Sequence, residues 1–139
     1  MAVKLVICDM AGTTVNDNDD VNKCFQAAME TTNLGITRED INEVMGLRKP
    51  DAIRMMLEKK MKPEDQHKIT DAYVNELHDI FLNQMIDFYK NDAGVKEIDG
   101  ASEVFRKLKA AGVLVGLDTG FSRDIADTIV TRLGWADND

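Results

Sequence analysis

Residues 4–14 read Lys-Leu-Val-Ile-Cys-Asp-Met-Ala-Gly-Thr-Thr, and the reading of this stretch decides the fold. Val3 to Cys8 is a short apolar run, long enough for one strand buried on both faces. The run stops at an acid, Asp9, and two small residues, Ala11 and Gly12, then lead to two hydroxyls, Thr13 and Thr14. A carboxylate at the C-terminal end of a buried parallel strand lies at the carboxyl edge of a sheet, where open α/β folds bind ligands. Gly12 would let backbone approach such a ligand closely. Taken alone, Asp9 reads equally well as the cap of a turn.

A second stretch repeats the pattern. Val113 to Leu117 predicts another buried strand, followed by Asp118-Thr119-Gly120-Phe121-Ser122-Arg123 and a helix with Ile125, Ile129 and Leu133 facing inward. Hydroxyls and a glycine at a strand-to-helix junction make an anion site from backbone N–H groups and a side-chain O–H. A plain turn becomes the weaker reading once the pattern occurs twice.

Between the two strands the pattern is helical. The polar run at residues 16–20 reads as a solvated hinge with good helix-capping residues and lacks the spacing of an EF-hand calcium loop. Phe25, Ala28 and Met29 predict a helix from Val21 to Thr32, with Gly35 as its C′ residue. Thr37-Arg-Glu-Asp40 is a capping box for a short helix through Val44, broken by Gly46. Pro50 suits the first turn of the next helix, which runs to Lys60 with Ile53, Met56 and Leu57 inward. Lys49 then sits in the loop before a helix start, where the positive helix end would lower its amine pKa, as imine chemistry requires. An exposed loop lysine is the commoner alternative.

Lys62-Pro63-Glu64-Asp65 is expected to open the longest helix, reaching Lys90 with a stripe of Ile69, Tyr73, Leu77, Ile80, Phe81, Gln84, Met85 and Phe88. His67 and His78 have no partners at metal spacing and read as surface or boundary residues. The several methionines read as core filler. Residues 91–98 form a connector. Ala101, Val104, Phe105 and Leu108 predict a helix from Gly100 to Ala111, stopped by Gly112.

Composition narrows the function. The 139 residues carry a net charge of −8 and 44% hydrophobic residues, enough for a core. Nucleic acid and anionic membranes both want a basic face, so both are excluded as partners. No apolar run is long enough to span a bilayer, and no signal-peptide pattern occurs. Cys8 and Cys24 read as reduced, small apolar residues of a cytoplasmic protein, with no zinc spacing.

The first stretch resembles the first signature of the haloacid dehalogenase (HAD) superfamily, a hydrophobic strand followed by Asp-x-Asp-Gly-Thr and a hydroxyl or Val. Here it reads Asp9-Met10-Ala11-Gly12-Thr13-Thr14-Val15. The resemblance implies that Asp9 is the nucleophile that attacks phosphorus. It also implies that Asp9 and the Ala11 backbone carbonyl hold Mg²⁺, and that Gly12 and Thr13 line the phosphoryl site. Most phosphatases of the family carry a second Asp where this chain has Ala11, and Ala there resembles the phosphonatase branch. The second stretch resembles the second HAD signature, which gives Thr119 and the neighbouring Gly120 amide to the substrate phosphoryl. Met45-Gly46-Leu47-Arg48-Lys49 resembles the phosphonatase loop whose lysine forms a Schiff base with phosphonoacetaldehyde. Phosphonatases also carry a His three residues after that lysine, and here the position is Ala52.

The implied fold class is α/β: a Rossmann-like parallel-sheet core, incomplete in this chain, at residues 1–15 and 94–139, with an all-helical cap inserted at 16–93. The third and fourth HAD signatures find no match after Arg123, since Asp137 and Asp139 lack a strand context. The chain is therefore expected to be the N-terminal part of a longer enzyme. Alone, it should bind Mg²⁺ weakly, turn over slowly or not at all, and self-associate through exposed sheet edges. The implied function is hydrolysis of a small phosphorylated or phosphonate metabolite through an aspartyl phosphate, by C–P cleavage if Lys49 forms an imine. Ordinary phosphate-ester hydrolysis and a non-catalytic interaction module are the alternatives.

Overall fold

A computed structural model describes residues 2–136. Asp137 and Asp139, expected to lie outside any strand, fall outside the described residues. The chain divides into two compact units. One combines the residues up to Asn18 with those from Phe88 onward, and the other comprises Asp19–Asp87.

The first unit is α/β. Strand β1 (Leu5–Asp9) pairs in parallel with β2 (Leu114–Asp118), and the register sets Leu5 against Leu114, Ile7 against Gly116 and Asp9 against Asp118. A parallel pair needs a long crossover, and the whole intervening chain supplies it. Neither strand is buried on both faces as the apolar runs suggested. Leu5, Ile7 and Leu114 share one face, since register partners project to the same side, and they are 50%, 61% and 70% exposed. Val6, Cys8, Val115 and Leu117 on the opposite face are only half-buried. The reason is local. Two strands make a narrow sheet, and a run of apolar residues records what a strand can bury without recording what covers it.

The described helices of this unit follow the glycines. Helix α5 (Ala101–Ala110) starts at Gly100 and ends before Gly112, both with positive φ. None of its residues is fully buried, so its expected inward stripe is only partly covered. Helix α6 (Arg123–Arg132) is capped by the Ser122 hydroxyl, which accepts from the Ile125 amide, and it buries Ile125 and Ile129. Two polar ties close the unit. The Glu97 carboxylate accepts from the Ser102 amide at 3.0 Å and from the Ser102 hydroxyl, which in turn accepts from the Trp135 indole N–H at 3.0 Å. The Arg132 guanidinium donates to the carbonyls of Tyr89, Lys90 and Asp92, capping the chain end of the long helix described next.

The second unit is helical. Helices α1 (Asp20–Glu30), α2 (Arg38–Val44) and α3 (Lys49–Lys60) pack in sequence, and α4 (Asp71–Asn91) adds its stripe. Phe25 of α1 meets Phe81 of α4 edge to face at 5.1 Å, and Ala28, Met29, Ile41, Ile53, Met56, Leu57 and Met85 are buried with them. The end of α1 differs from the glycine cap expected. The chain leaves the helix at Thr31, where the Thr31 and Thr32 hydroxyls donate to the carbonyls of Ala28 and Met29, and Gly35 turns the loop four residues later.

The longest helix also starts later than Pro63 suggested. Pro63–Lys68 forms a separate 3₁₀ turn whose Gln66 amide donates to the carbonyls of Glu58 and Met61, finishing α3. The Thr70 hydroxyl then accepts from the Tyr73 amide and caps α4. The stripe shifts accordingly. Val74, Leu77, Phe81, Met85 and Tyr89 are the buried residues, and Gln84 is exposed because it lies off that row.

The capping box is present as read. Asp40 accepts from the Thr37 amide at 2.9 Å, and Thr37 accepts from the Asp40 amide at 3.2 Å. Asp40 also takes Lys60 at 2.7 Å and Lys59 at 3.0 Å while its side chain is 8% exposed. Those cations, Lys60 first, together with the Thr37 amide, hold its carboxyl far below the usual carboxylate range. A depressed folded pKa contributes stability that is complete above the unfolded value and is lost as pH falls through the folded one. The helical unit should therefore lose stability as pH drops below about 4. Asp40→Asn should be less stable at neutral pH and lose most of that acid dependence, as measured by denaturant titrations at pH 7 and pH 3.

Candidate active site

Asp9 closes β1 and its carboxylate is exposed. The loop after it is wound tightly around one acceptor: the amides of Thr13, Thr14 and Val15 all donate to the Met10 carbonyl, at 3.0, 2.9 and 2.9 Å. Gly12 donates to the Val15 carbonyl at 2.8 Å and takes a φ of 84°. A Cβ there would meet nothing within 4 Å, so glycine answers the left-handed backbone rather than a lack of room. The buried side chains of Met10 and Val15 anchor the loop beneath. Its exit is tied to the connector by the Asn16 amide on Lys96 and the Ile98 amide on Thr14, at 2.9 and 2.8 Å.

Both hydroxyls serve Asp9. Thr13 Oγ1 donates to the Asp9 carboxylate at 3.2 Å, and Thr14 Oγ1 donates to the Asp9 main-chain carbonyl at 2.8 Å. Thr13 thus touches the acid itself. The register then brings the second stretch alongside. Asp9 faces Asp118 on the neighbouring strand, and Thr119 follows one residue beyond. The half-buried Thr119 hydroxyl accepts from the Phe121 amide at 3.1 Å, which sets its rotamer and leaves its own proton to donate. Gly120 beside it is exposed. Asp118 was the residue that sequence reading passed over. Each apolar run ends in an acid, and the observed register sets the two acids opposite one another.

Mg²⁺ prefers hard oxygen donors, keeps several waters and takes further oxygens from phosphate. The Asp9 carboxylate and the Ala11 carbonyl are donors of that kind, and no hydrogen bond among the described residues ends on the Ala11 carbonyl. Among the described residues no group of three or more His, Cys, Asp or Glu side chains could hold a metal by itself. The donors fit Mg²⁺ in kind, with the remaining positions left to water and phosphoryl oxygens.

In the helical unit, Lys49 is the first residue of α3 rather than a loop residue, because Arg48 already caps the helix and Pro50 fits its first turn. Its Nζ donates to the Met45 carbonyl at 2.9 Å and the Leu47 carbonyl at 3.5 Å, and it lies 5.6 Å from the centre of the Phe25 ring. Burial holds the amine below the ordinary lysine range. Ala52, one turn on, is fully buried. His67 is exposed, and His78 is half-buried against Phe81, its pKa lowered by that burial and partly restored by Asp79.

A family model described as "Haloacid dehalogenase-like hydrolase" matches residues 6–138. Phosphonoacetaldehyde hydrolase of Bacillus cereus is 27% identical over 136 residues, covering 94% of this chain and 51% of the relative. The chain thus spans about half the length of the curated relatives it matches. Among solved structures, CbbY from Rhodobacter sphaeroides, crystallised with xylulose-(1,5)bisphosphate, superposes with a TM-score of 0.76 at 12% identity, over 96% of this chain and 58% of that one. An HAD hydrolase of family IA, variant 3, from Entamoeba histolytica gives a TM-score of 0.68 at 18% identity, over 98% and 57%. At these identities the structural likeness establishes the fold alone.

Proposed function

This chain belongs to the haloacid dehalogenase-like hydrolase family, and on that premise we propose that it carries half of a phosphonatase-like machinery, acting in the cytoplasm on a small phosphonate aldehyde. Residues 16–93 act as the cap and the rest as the core. Asp9 is the nucleophile, Thr119, Gly120, Gly12 and Thr13 bind the phosphoryl oxygens, and Lys49 activates the aldehyde. The observation that carries the reading is the parallel register, which puts Thr119 one residue beyond the partner of Asp9.

The amine of Lys49 adds to the aldehyde carbon, water leaves, and an iminium remains. An Asp9 oxygen bonds to phosphorus while the C–P bond breaks, and its electron pair flows into the iminium to give an enamine. Water then attacks phosphorus, restoring Asp9 and releasing phosphate. Protonation and hydrolysis of the enamine free the dephosphorylated aldehyde and Lys49. Carbon departs as an enamine and needs no proton on leaving, so this step needs no acid at the position of Ala11. Mg²⁺ held by Asp9 and the Ala11 carbonyl would supply charge neutralisation at the phosphoryl group.

Phosphonoacetaldehyde plus borohydride should leave a reduced adduct on Lys49, located by peptide mass spectrometry and missing from Lys49→Arg. Full-length mass with no adduct would remove the Schiff-base route. Asp118 favours a second reading, because an acid in register with Asp9 offers a proton for an alkoxide leaving group. Phosphate release from simple phosphate esters, with none from phosphonates, would select it. The exposed apolar sheet face supports self-association of the free chain.

A further inference from the structure

The surroundings of Lys49 Nζ form a shape of their own. Two carbonyl oxygens, of Met45 and Leu47, accept its hydrogens from one side, and both belong to the turn that follows α2. The ring of Phe25, on α1, approaches from another side at 5.6 Å, within the range over which an aromatic face attracts a cation. The ring is fixed: Phe25 is fully buried and held edge to face by Phe81. The nitrogen therefore meets three electron-rich groups on two sides, none of which carries a formal charge.

Several charged side chains of these helices pair with one another. On α3 itself Arg48 pairs with Asp51 at 3.6 Å; on α1 Lys23 pairs with Asp20 at 3.8 Å; on α2 Glu43 takes Lys59 at 2.9 Å. No carboxylate is bonded to Lys49 among the described residues. Against the seat stand burial and the amide-lined start of α3, both of which disfavour a cation there.

From this arrangement we infer that Phe25 is a positioning residue for Lys49: its ring face, with the Met45 and Leu47 carbonyls, forms a charge-free seat for a cation at that nitrogen. Such a seat suits an imine-forming lysine better than a carboxylate would. It holds the nitrogen in one place in either protonation state, yet leaves the amine able to lose its proton before attack. The iminium formed afterwards is again a cation at the same atom, and the ring favours it in the same way. The role in catalysis rests on the Schiff-base reading above, while the seat itself does not.

Replacing Phe25 by 3,4,5-trifluorophenylalanine keeps the ring in its core position and withdraws electron density from its face. The titration of Lys49 is followed by NMR on chain carrying ¹³Cε-labelled lysine, with Lys49→Arg to assign the signal. The fluorinated chain should titrate roughly half a pH unit lower, with an unchanged melting temperature. Phe25→Tyr should titrate like the native chain, and Phe25→Leu should move in the same direction as the fluorinated chain while melting earlier. A Lys49 titration that ignores fluorination overturns the seat, even if borohydride trapping succeeds. A shifted titration without any trapped adduct upholds the seat and removes the Schiff-base route.

Discussion

Asp9→Asn should abolish phosphoryl transfer to this chain. Incubated with Mg²⁺ and acetyl phosphate, the native chain should gain one phosphoryl group on Asp9, seen by intact mass and removed by hydroxylamine. The variant should gain none, with labelling lower by about a thousandfold or more, as for other single-nucleophile removals. The substitution is nearly isosteric. Thr13 can still donate to the remaining side-chain oxygen, and Thr14 bonds to the main chain, which does not change. Stability should therefore match the native chain, and lost labelling would report chemistry rather than unfolding. Label persisting in the variant would move the nucleophile elsewhere, with Asp118 on the adjoining strand as the first place to look. A native chain that never labels would fit either a non-catalytic module or the slow or absent turnover expected of this chain alone.

Phe81→Ala should have the largest effect on stability. Phe81 is 2% exposed, meets Phe25 edge to face at 5.1 Å and lies parallel to the His78 ring at 6.4 Å. Truncation removes a whole buried ring that packs against the fully buried Phe25 and the half-buried His78. The expected cost is about 3–5 kcal/mol, a large part of the stability of a domain this size. Urea titration followed by far-ultraviolet circular dichroism would measure it on the helical unit. A cost below about 1 kcal/mol would mean that the site relaxes far more than its packing suggests. His78 should also titrate nearer its ordinary value in the variant, because burial is the leading cause that lowers it.

Sequence carried the element order, because most of the signals were local. The capping box at Thr37, the proline inside α3 and the glycines flanking α5 each fix a boundary with residues close at hand. What went unread was set by distant partners. Pro63 fits the first turn of an α-helix or a 3₁₀ turn equally well, and the Gln66 amide settles the choice by reaching back to α3. The Lys49 motif was visible as a string, but the Phe25 ring that meets its nitrogen lies more than twenty residues upstream. Asp118 was printed in plain view beside Thr119, and only strand register shows that it stands opposite Asp9.

The row formed by Leu5, Ile7 and Leu114 has a consequence for the molecule in solution. Two forces set how closely copies approach, and they answer to different variables. A surplus of eight negative charges keeps copies apart and is muted as ionic strength rises. The exposed aliphatic row would draw copies together, more strongly on warming and in sulfate, by shedding ordered water. Cold, dilute buffer thus sets both in favour of dispersal, whereas warmth and salting-out anions set both against it.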